Sequence, residues 1–139
     1  MLSYAARIKR DGKTFMVSFP DFPGVYSQGD DIEDAARHGR DALETALYFL
    51  VREGSALPAA SEPRRGQRMI EVSPGFAVKL FLVREVVTQG ISQADLARRL
   101  RVTPQEVTRL LDLRHHTKID SLAAALHALN KRLEISLAA

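Results

Sequence analysis

The 139-residue sequence contains no cysteine and no tryptophan. Without cysteine, a disulfide framework, thiolate zinc sites and cysteine nucleophile chemistry are all excluded. Long hydrophobic runs are also missing, since the longest extends only from Ala46 to Val51, whereas a membrane span needs about 20 apolar residues. Near the N-terminus, Arg7 and Lys9 occur before a secretory apolar core could form. We therefore expect a soluble, cytoplasmic protein.

The composition is that of a globular protein, with 45% hydrophobic and 27% charged residues. The net charge of +3 is unevenly distributed. Residues 1–66 hold nine Lys/Arg and ten Asp/Glu, whereas residues 67–139 hold eleven and seven. This asymmetry suggests that only the second half meets a polyanion. Charge alone nevertheless favours the alternative, a solvated surface without a charged partner.

The first half of the chain has the pattern of strands followed by a helix. Residues 3–10 and 14–19 alternate between apolar and polar side chains, and Asp11-Gly12 between them predicts a hairpin. Residues 25–28 predict a short third strand. Apolar residues then recur at three- and four-residue spacing from residue 32 to residue 50, which predicts an amphipathic helix with Asp31 as N-cap and Gly54 as stop.

Residues 68–72 are expected to return as a fourth strand beside the first. A strand–helix–strand connection of this length favours a parallel pairing. The following Ser73-Pro74-Gly75 predicts a break and a domain boundary, so that residues 1–73 form one domain and residues 74–139 a second. The fold class predicted for the whole chain is α+β, with a small sheet and one helix followed by an all-α domain.

The all-α domain contains the spacing of a helix-turn-helix. Helices are predicted over residues 76–88, 93–100 and 103–113, and a fourth begins with Asp120 as its cap. Ser92 and Thr103 are expected to cap the central pair, and the second helix of this pair would enter a major groove. Arg101 stands in the turn where glycine is usual, at a cost of about 1 kcal/mol for left-handed backbone.

Exposed residues of this pair form the predicted DNA-binding surface. Gln can read adenine and Arg can read guanine through two hydrogen bonds, while other polar and basic side chains contact phosphates. The predicted DNA-binding residues are Gln93, Arg101, Thr103, Pro104, Gln105, Thr108, Arg109 and Lys118. The segment 91–108 resembles the Cro/repressor-type DNA-binding family, and Arg101 is its one departure from that pattern.

Nearly the whole chain resembles the HicB antitoxins. The resemblance lies in the run Phe19-Pro20-Asp21-Phe22-Pro23-Gly24-Val25, the later Gly29-Asp30 and the acidic helix start at Glu33-Asp34. It implies a partial ribonuclease-H-like domain that binds and neutralises a small basic mRNA-cleaving toxin, HicA. It also implies that the helix-turn-helix domain represses the toxin–antitoxin operon. For the toxin contact we expect Asp21, Phe22, Asp41 and Glu44, from the Pro20–Gly24 loop and the acidic helix face.

Two other function classes are alternatives to the antitoxin: a nuclease and a repressor that senses a small molecule. A ribonuclease-H-like nuclease needs converging carboxylates for two metal ions, but the first strand offers none before Asp11. A repressor that senses a small molecule needs a cavity of a few hundred Å³, for which a domain of about 70 residues leaves little room. We therefore predict a non-enzymatic protein with no catalytic residues, no metal and no cofactor.

The C-terminal tail is a candidate for dimerisation. Residues 132–137 alternate between polar and apolar side chains, which favours a strand that pairs with a second copy. A continuing helix end is the alternative. One recognition helix covers too few base pairs to specify a site, so we expect a homodimer or higher oligomer that reads an inverted repeat in the operator DNA.

Overall fold

The computed structural model describes residues 2–139 and divides the chain into two compact units, Met1–Ala77 and Val78–Ala139. Within the described residues, no helix is long and apolar enough to cross a membrane. The predicted α+β class is confirmed. The elements are β1 Ser3–Asp11, β2 Thr14–Ser18, β3 Tyr26–Gly29, α1 Ile32–Arg52, β4 Gln67–Glu71, α2 Pro74–Gln89, α3 Gln93–Leu100, α4 Pro104–Leu111 and α5 Ile119–Ala128.

The first unit contains a four-stranded sheet in the order β3-β2-β1-β4, and every neighbouring pair is antiparallel. The predicted hairpin is confirmed, and Gly12 takes the positive φ of 63° that its turn requires. The fourth strand does lie beside β1, but the predicted parallel pairing is wrong. The long loop after α1 crosses back over the unit, where Tyr4 Oη donates to the Pro58 carbonyl at 2.9 Å, so that β4 enters in the opposite direction.

Helix α1 packs closely on one face of this sheet. As predicted, Asp31 caps the helix, since its carboxylate accepts a hydrogen bond from the Asp34 N–H at 2.7 Å. At Gly39 the helix approaches β2 so closely that a Cβ would lie 3.0 Å from both methyl groups of Val17. The buried side chains of this layer include Tyr4, Ala6, Val17, Ala35, Leu43, Leu47 and Ile70.

Helices are the only regular secondary structure among the residues of the second unit, as predicted for residues 76–128. Ser92 caps α3 by accepting from the Asp95 N–H at 3.0 Å, and Thr103 caps α4 by accepting from the Glu106 N–H at 3.2 Å. Both predicted caps are therefore confirmed. Each helix contributes buried side chains to the core of the unit, among them Leu80, Leu82, Val83, Leu96, Val107, Leu110, Leu122, Leu126 and Leu129.

Helix boundaries differ from the sequence prediction at two places, the start of α2 and the cap of α5, and the tail also differs from the predicted strand. Pro74 and Gly75 begin α2 instead of breaking the chain before it, because proline is favoured in the first helical turn. Asp120 does not cap α5: the N-cap position is Lys118, without a side-chain cap, and Asp120 lies in the first turn. After α5, Asn130 takes a left-handed φ of 61°, so a continuing helix is excluded, and residues 131–139 form neither helix nor strand.

Candidate nucleic-acid interface and partner surface

Helices α3 and α4 are joined by a tight turn at Arg101. Its backbone is left-handed, with φ 56° and ψ 44°, as the sequence predicted. The turn is closed by two backbone hydrogen bonds, from the Arg101 N–H to the Arg98 carbonyl at 3.3 Å and from the Val102 N–H to the Ala97 carbonyl at 3.1 Å. These bonds satisfy the last carbonyls of α3 and set the angle at which α4 leaves the turn.

Helix α4 is amphipathic, with one buried apolar face and one exposed polar face. Val107, Leu110 and Leu111 are buried in the unit, so the residues between them must face outward. On the exposed side, the Thr108 hydroxyl lies 3.1 Å from the Pro104 carbonyl and 3.4 Å from Gln93 Oε1, and its single hydrogen can be donated to either of them. The start of α3 and the middle of α4 therefore present one continuous polar surface.

All eight residues predicted to bind DNA are exposed. Gln93 and Thr108 are in contact, and Thr103, Pro104, Gln105 and Arg109 share α4 or its cap with Thr108. Arg101 lies in the turn before α4, and Lys118 lies at the start of α5. Among the salt bridges of residues 2–139, none joins the Arg109 guanidinium to its helix neighbours Glu106 and Asp112.

One residue beneath this surface was missed by the sequence analysis. Lys79 of α2 is only 3% exposed, and its ammonium lies within hydrogen-bonding distance of four acceptors: the carbonyls of Arg109 (3.2 Å), Asp112 (2.8 Å) and His115, and Thr117 Oγ1 (2.9 Å). The three N–H groups of the ammonium are shared among these four oxygens. Burial lowers the pKa of Lys79, and the Asp112 carboxylate partly opposes this shift. The sequence does contain a signal for this role, because Lys79 is the single charged residue within the apolar stretch 76–83.

Three of the four residues predicted to contact a toxin have structural roles in the first unit. The Asp21 carboxylate accepts from the N–H and hydroxyl of Ser61. Phe22 is 5% exposed and stacks edge-on against Tyr4 with ring centroids 4.7 Å apart. Glu44 Oε1 accepts from the Ser73 N–H at 2.7 Å and from its hydroxyl at 2.8 Å. These contacts give each of the three side chains a structural role within the first unit that does not require a partner protein.

The fourth predicted toxin contact, Asp41, lies on an open surface. Its side chain lines a groove of about 430 Å³ between α1 and the edge strand β3. Tyr26, which is 60% exposed, lines the same groove. His38 also borders it, with Nδ1 2.7 Å from the Gln28 carbonyl of β3. This groove combines an exposed acid, an exposed aromatic ring and the free edge of a sheet.

Carboxylates near the start of α1 are engaged in local structure. Asp34 accepts from the Asp30 N–H at 2.9 Å and from Arg37 at 2.6 Å. The backbone hydrogen bond from Asp30, together with His38 and Arg37, lowers the pKa of Asp34. Across residues 2–139, no group of three or more His, Asp or Glu side chains is arranged to hold a metal ion.

Residues 3–81 match the family model described as the HicB-like antitoxin of bacterial toxin–antitoxin systems. A curated relative, antitoxin HicB 2 of Photorhabdus laumondii, is 37% identical over 134 residues, covering 96% of this chain and 95% of the relative. The chain belongs to the HicB-like antitoxin family. Antitoxin HicB of Escherichia coli K12 is likewise 37% identical, covering 87% of this chain and 88% of the relative.

Solved HicB structures are more distant in sequence. The Burkholderia pseudomallei antitoxin HicB is 19% identical, with a TM-score of 0.47, and the match covers 73% of this chain and 96% of that chain. A chain from a structure titled HicA3 and HicB3 toxin-antitoxin complex is 23% identical, with a TM-score of 0.44, and the match covers 52% of this chain and all of that one.

Proposed function

We propose that this HicB-like protein neutralises a HicA-like toxin through its first unit and represses its own operon through its second. Both activities are binding and neither requires catalysis. Membership of the antitoxin family supports the first activity. The observation that carries the second is the geometry of α3 and α4, where two capped helices meet at a left-handed Arg101 and present eight exposed, mostly polar or basic residues.

For DNA, the proposal assigns different tasks to different residues. Gln105 and Arg109 of α4 read base edges in the major groove, whereas Arg101 and Lys118 contact phosphates on either side. Because Arg109 forms no salt bridge with Glu106 or Asp112 among residues 2–139, no intrahelical pair competes with a guanine for its guanidinium.

The DNA test compares R109A with K118A on operator and random DNA over a range of salt concentrations. We expect R109A to cost about 1–3 kcal/mol on the operator and to relax base preference at one position in each half-site. K118A should instead weaken binding to both DNAs and reduce the salt dependence. Equal losses on operator and random DNA for R109A would show that Arg109 does not read bases.

For the toxin, the proposal places the contact at the groove that contains Asp41 and Tyr26. A basic toxin surface is drawn to an exposed carboxylate, and opposite charge speeds association and sets the register of the complex. Exposed aromatic rings such as that of Tyr26 supply large contact areas in protein interfaces. Asp21, Phe22 and Glu44 are left out of this surface because their side chains are used within the fold.

The toxin test therefore reverses the charge at position 41 alone, with the variant D41K. D41K should slow association with the toxin at low salt, and the effect should shrink as salt is added. E62K is the matched control, because Glu62 is an exposed acid in the loop between α1 and β4, outside the residues that line the groove. Equal association rates for D41K, E62K and the unchanged protein would remove this groove from the interface.

Dimerisation through the tail is part of the same proposal. Ile135 and Leu137 are 76% and 99% exposed, at alternate positions in a segment without secondary structure. Pairing of this tail with a second copy would cover both side chains and bring two α4 helices together on an inverted repeat.

A further inference from the structure

We infer that Lys79 is a positioning residue for DNA binding, which holds the C-terminal end of α4 and the loop after it in the shape that contacts DNA. This inference rests on the proposed DNA-binding function. Lys79 itself is 3% exposed and cannot reach a phosphate. It acts through the backbone of residues that can.

The contacts of the ammonium group define this role. Three of its four acceptors are backbone carbonyls, those of Arg109, Asp112 and His115, and the fourth is the Thr117 hydroxyl. The final carbonyls of a helix have no partners within it and carry a partial negative charge, which a cation stabilises. Lys79 thus caps α4 from a different helix and ties the whole loop 112–118 to α2.

The residues held in this way belong to the proposed DNA surface. Arg109 is the proposed base reader, and Lys79 binds its main-chain carbonyl directly. The loop that follows exposes Arg114, His115 and His116 and leads into Lys118. Residues 112–118 form neither helix nor strand, and apart from the Lys79 contacts their hydrogen bonds are local: the Asp112 carboxylate accepts from the Arg114 N–H at 3.0 Å, and the Asp112 carbonyl accepts from the His115 N–H at 3.2 Å.

A substitution that removes the charge should free the loop without unfolding the unit. In K79M the aliphatic stem of the side chain is retained, and the core around Leu96 and Leu122 does not involve the ammonium. Asp112 and His115 are exposed residues, and we expect water to reach their part-buried carbonyls once the ammonium is removed. We therefore expect K79M to remain folded but to lose the fixed position of residues 112–118.

The experiment measures operator affinity against salt concentration for the full chain, with K131M and L122V as controls. Loss of one or two phosphate contacts should reduce the slope of log K against log salt by about 1–2, and affinity near 0.15 M salt by about 5- to 30-fold. K131M removes an exposed lysine after α5 and controls for overall charge. L122V weakens the core in α5, which lowers the folded fraction but leaves the slope unchanged.

Hydrogen exchange tests the clamp without DNA. The amides of Arg114 and His115, which donate to Asp112, should exchange at least about tenfold faster in K79M than in the unchanged protein, since local opening controls exchange in loops. Unchanged exchange at these amides, or an unchanged salt slope in folded K79M, would overturn the inference. If the unchanged protein binds no operator, the proposed function fails first, and the exchange data then report only on the fold.

Discussion

Replacing Arg101 with glycine should stabilise the second unit while weakening its binding to DNA. A left-handed backbone costs a residue with a Cβ about 1–2 kcal/mol, and Arg101 has φ 56° and ψ 44°. Glycine removes that cost but loses about 0.5–1 kcal/mol through its greater freedom in the unfolded chain. The net gain is between about 0 and 1.5 kcal/mol, with a midpoint of about 0.75 kcal/mol, which corresponds to about 3–6 °C in the melting temperature of a unit of this size.

The matched comparison is R101A, which removes the same side chain but keeps the left-handed penalty. We expect R101G to melt above R101A and above the unchanged protein when helix content is followed by circular dichroism. Both variants should lose one phosphate contact, which lowers the salt slope of DNA binding by about 0.9. Equal melting temperatures for R101G and R101A would refute the assignment of strain to this turn.

Three further predictions concern the packing, pH dependence and assembly of the chain. G39A should lower the stability of the first unit to urea by about 1 kcal/mol, because overpacking against Val17 outweighs the gain in helix propensity; a stabilised variant would show that Val17 can move away. The pKa of Asp34 is lowered below 3.8 in the folded state, so its contribution to stability is present above that pH and is lost as the pH falls through its folded value. D34N should therefore flatten the acid side of the stability curve as the pH falls through and below the ordinary carboxylate pKa of 3.8, and identical curves would contradict the stated partners of Asp34. Deletion of residues 132–139 should give monomers in sedimentation experiments, and these monomers should bind the operator weakly. An intact dimer after the deletion would eliminate the tail as the interface.

Local signals in the sequence identified most of the elements. The Asp11-Gly12 turn and the caps Asp31, Ser92 and Thr103 were all recognisable, because each depends on a residue type that satisfies backbone groups within three or four positions. The left-handed conformation of Arg101 followed instead from the resemblance of the segment 91–108 to the Cro/repressor-type family, in which glycine usually stands at this position of the turn.

Features that depend on contacts between distant residues were not predictable in this way. The direction of β4 is set by the path of the loop 53–66, which Tyr4 anchors through Pro58 from 54 positions away. Asp21, Phe22 and Glu44 have partners within the fold, namely Ser61, Tyr4 and Ser73, which their residue types alone did not reveal. Their contact with a toxin stays a prediction. The periodicity of apolar residues indicates which side of a helix is buried, but it does not indicate which polar groups already have hydrogen-bond partners.

The central claim is tested most directly by measuring toxin neutralisation and operator binding side by side in full-length D41K and R109A. The account predicts that D41K loses association rate with the toxin and retains operator affinity, while R109A loses operator affinity and retains toxin neutralisation. If either variant loses both activities while remaining folded, or if neither activity changes in its assigned variant, the division of function between the two units is contradicted.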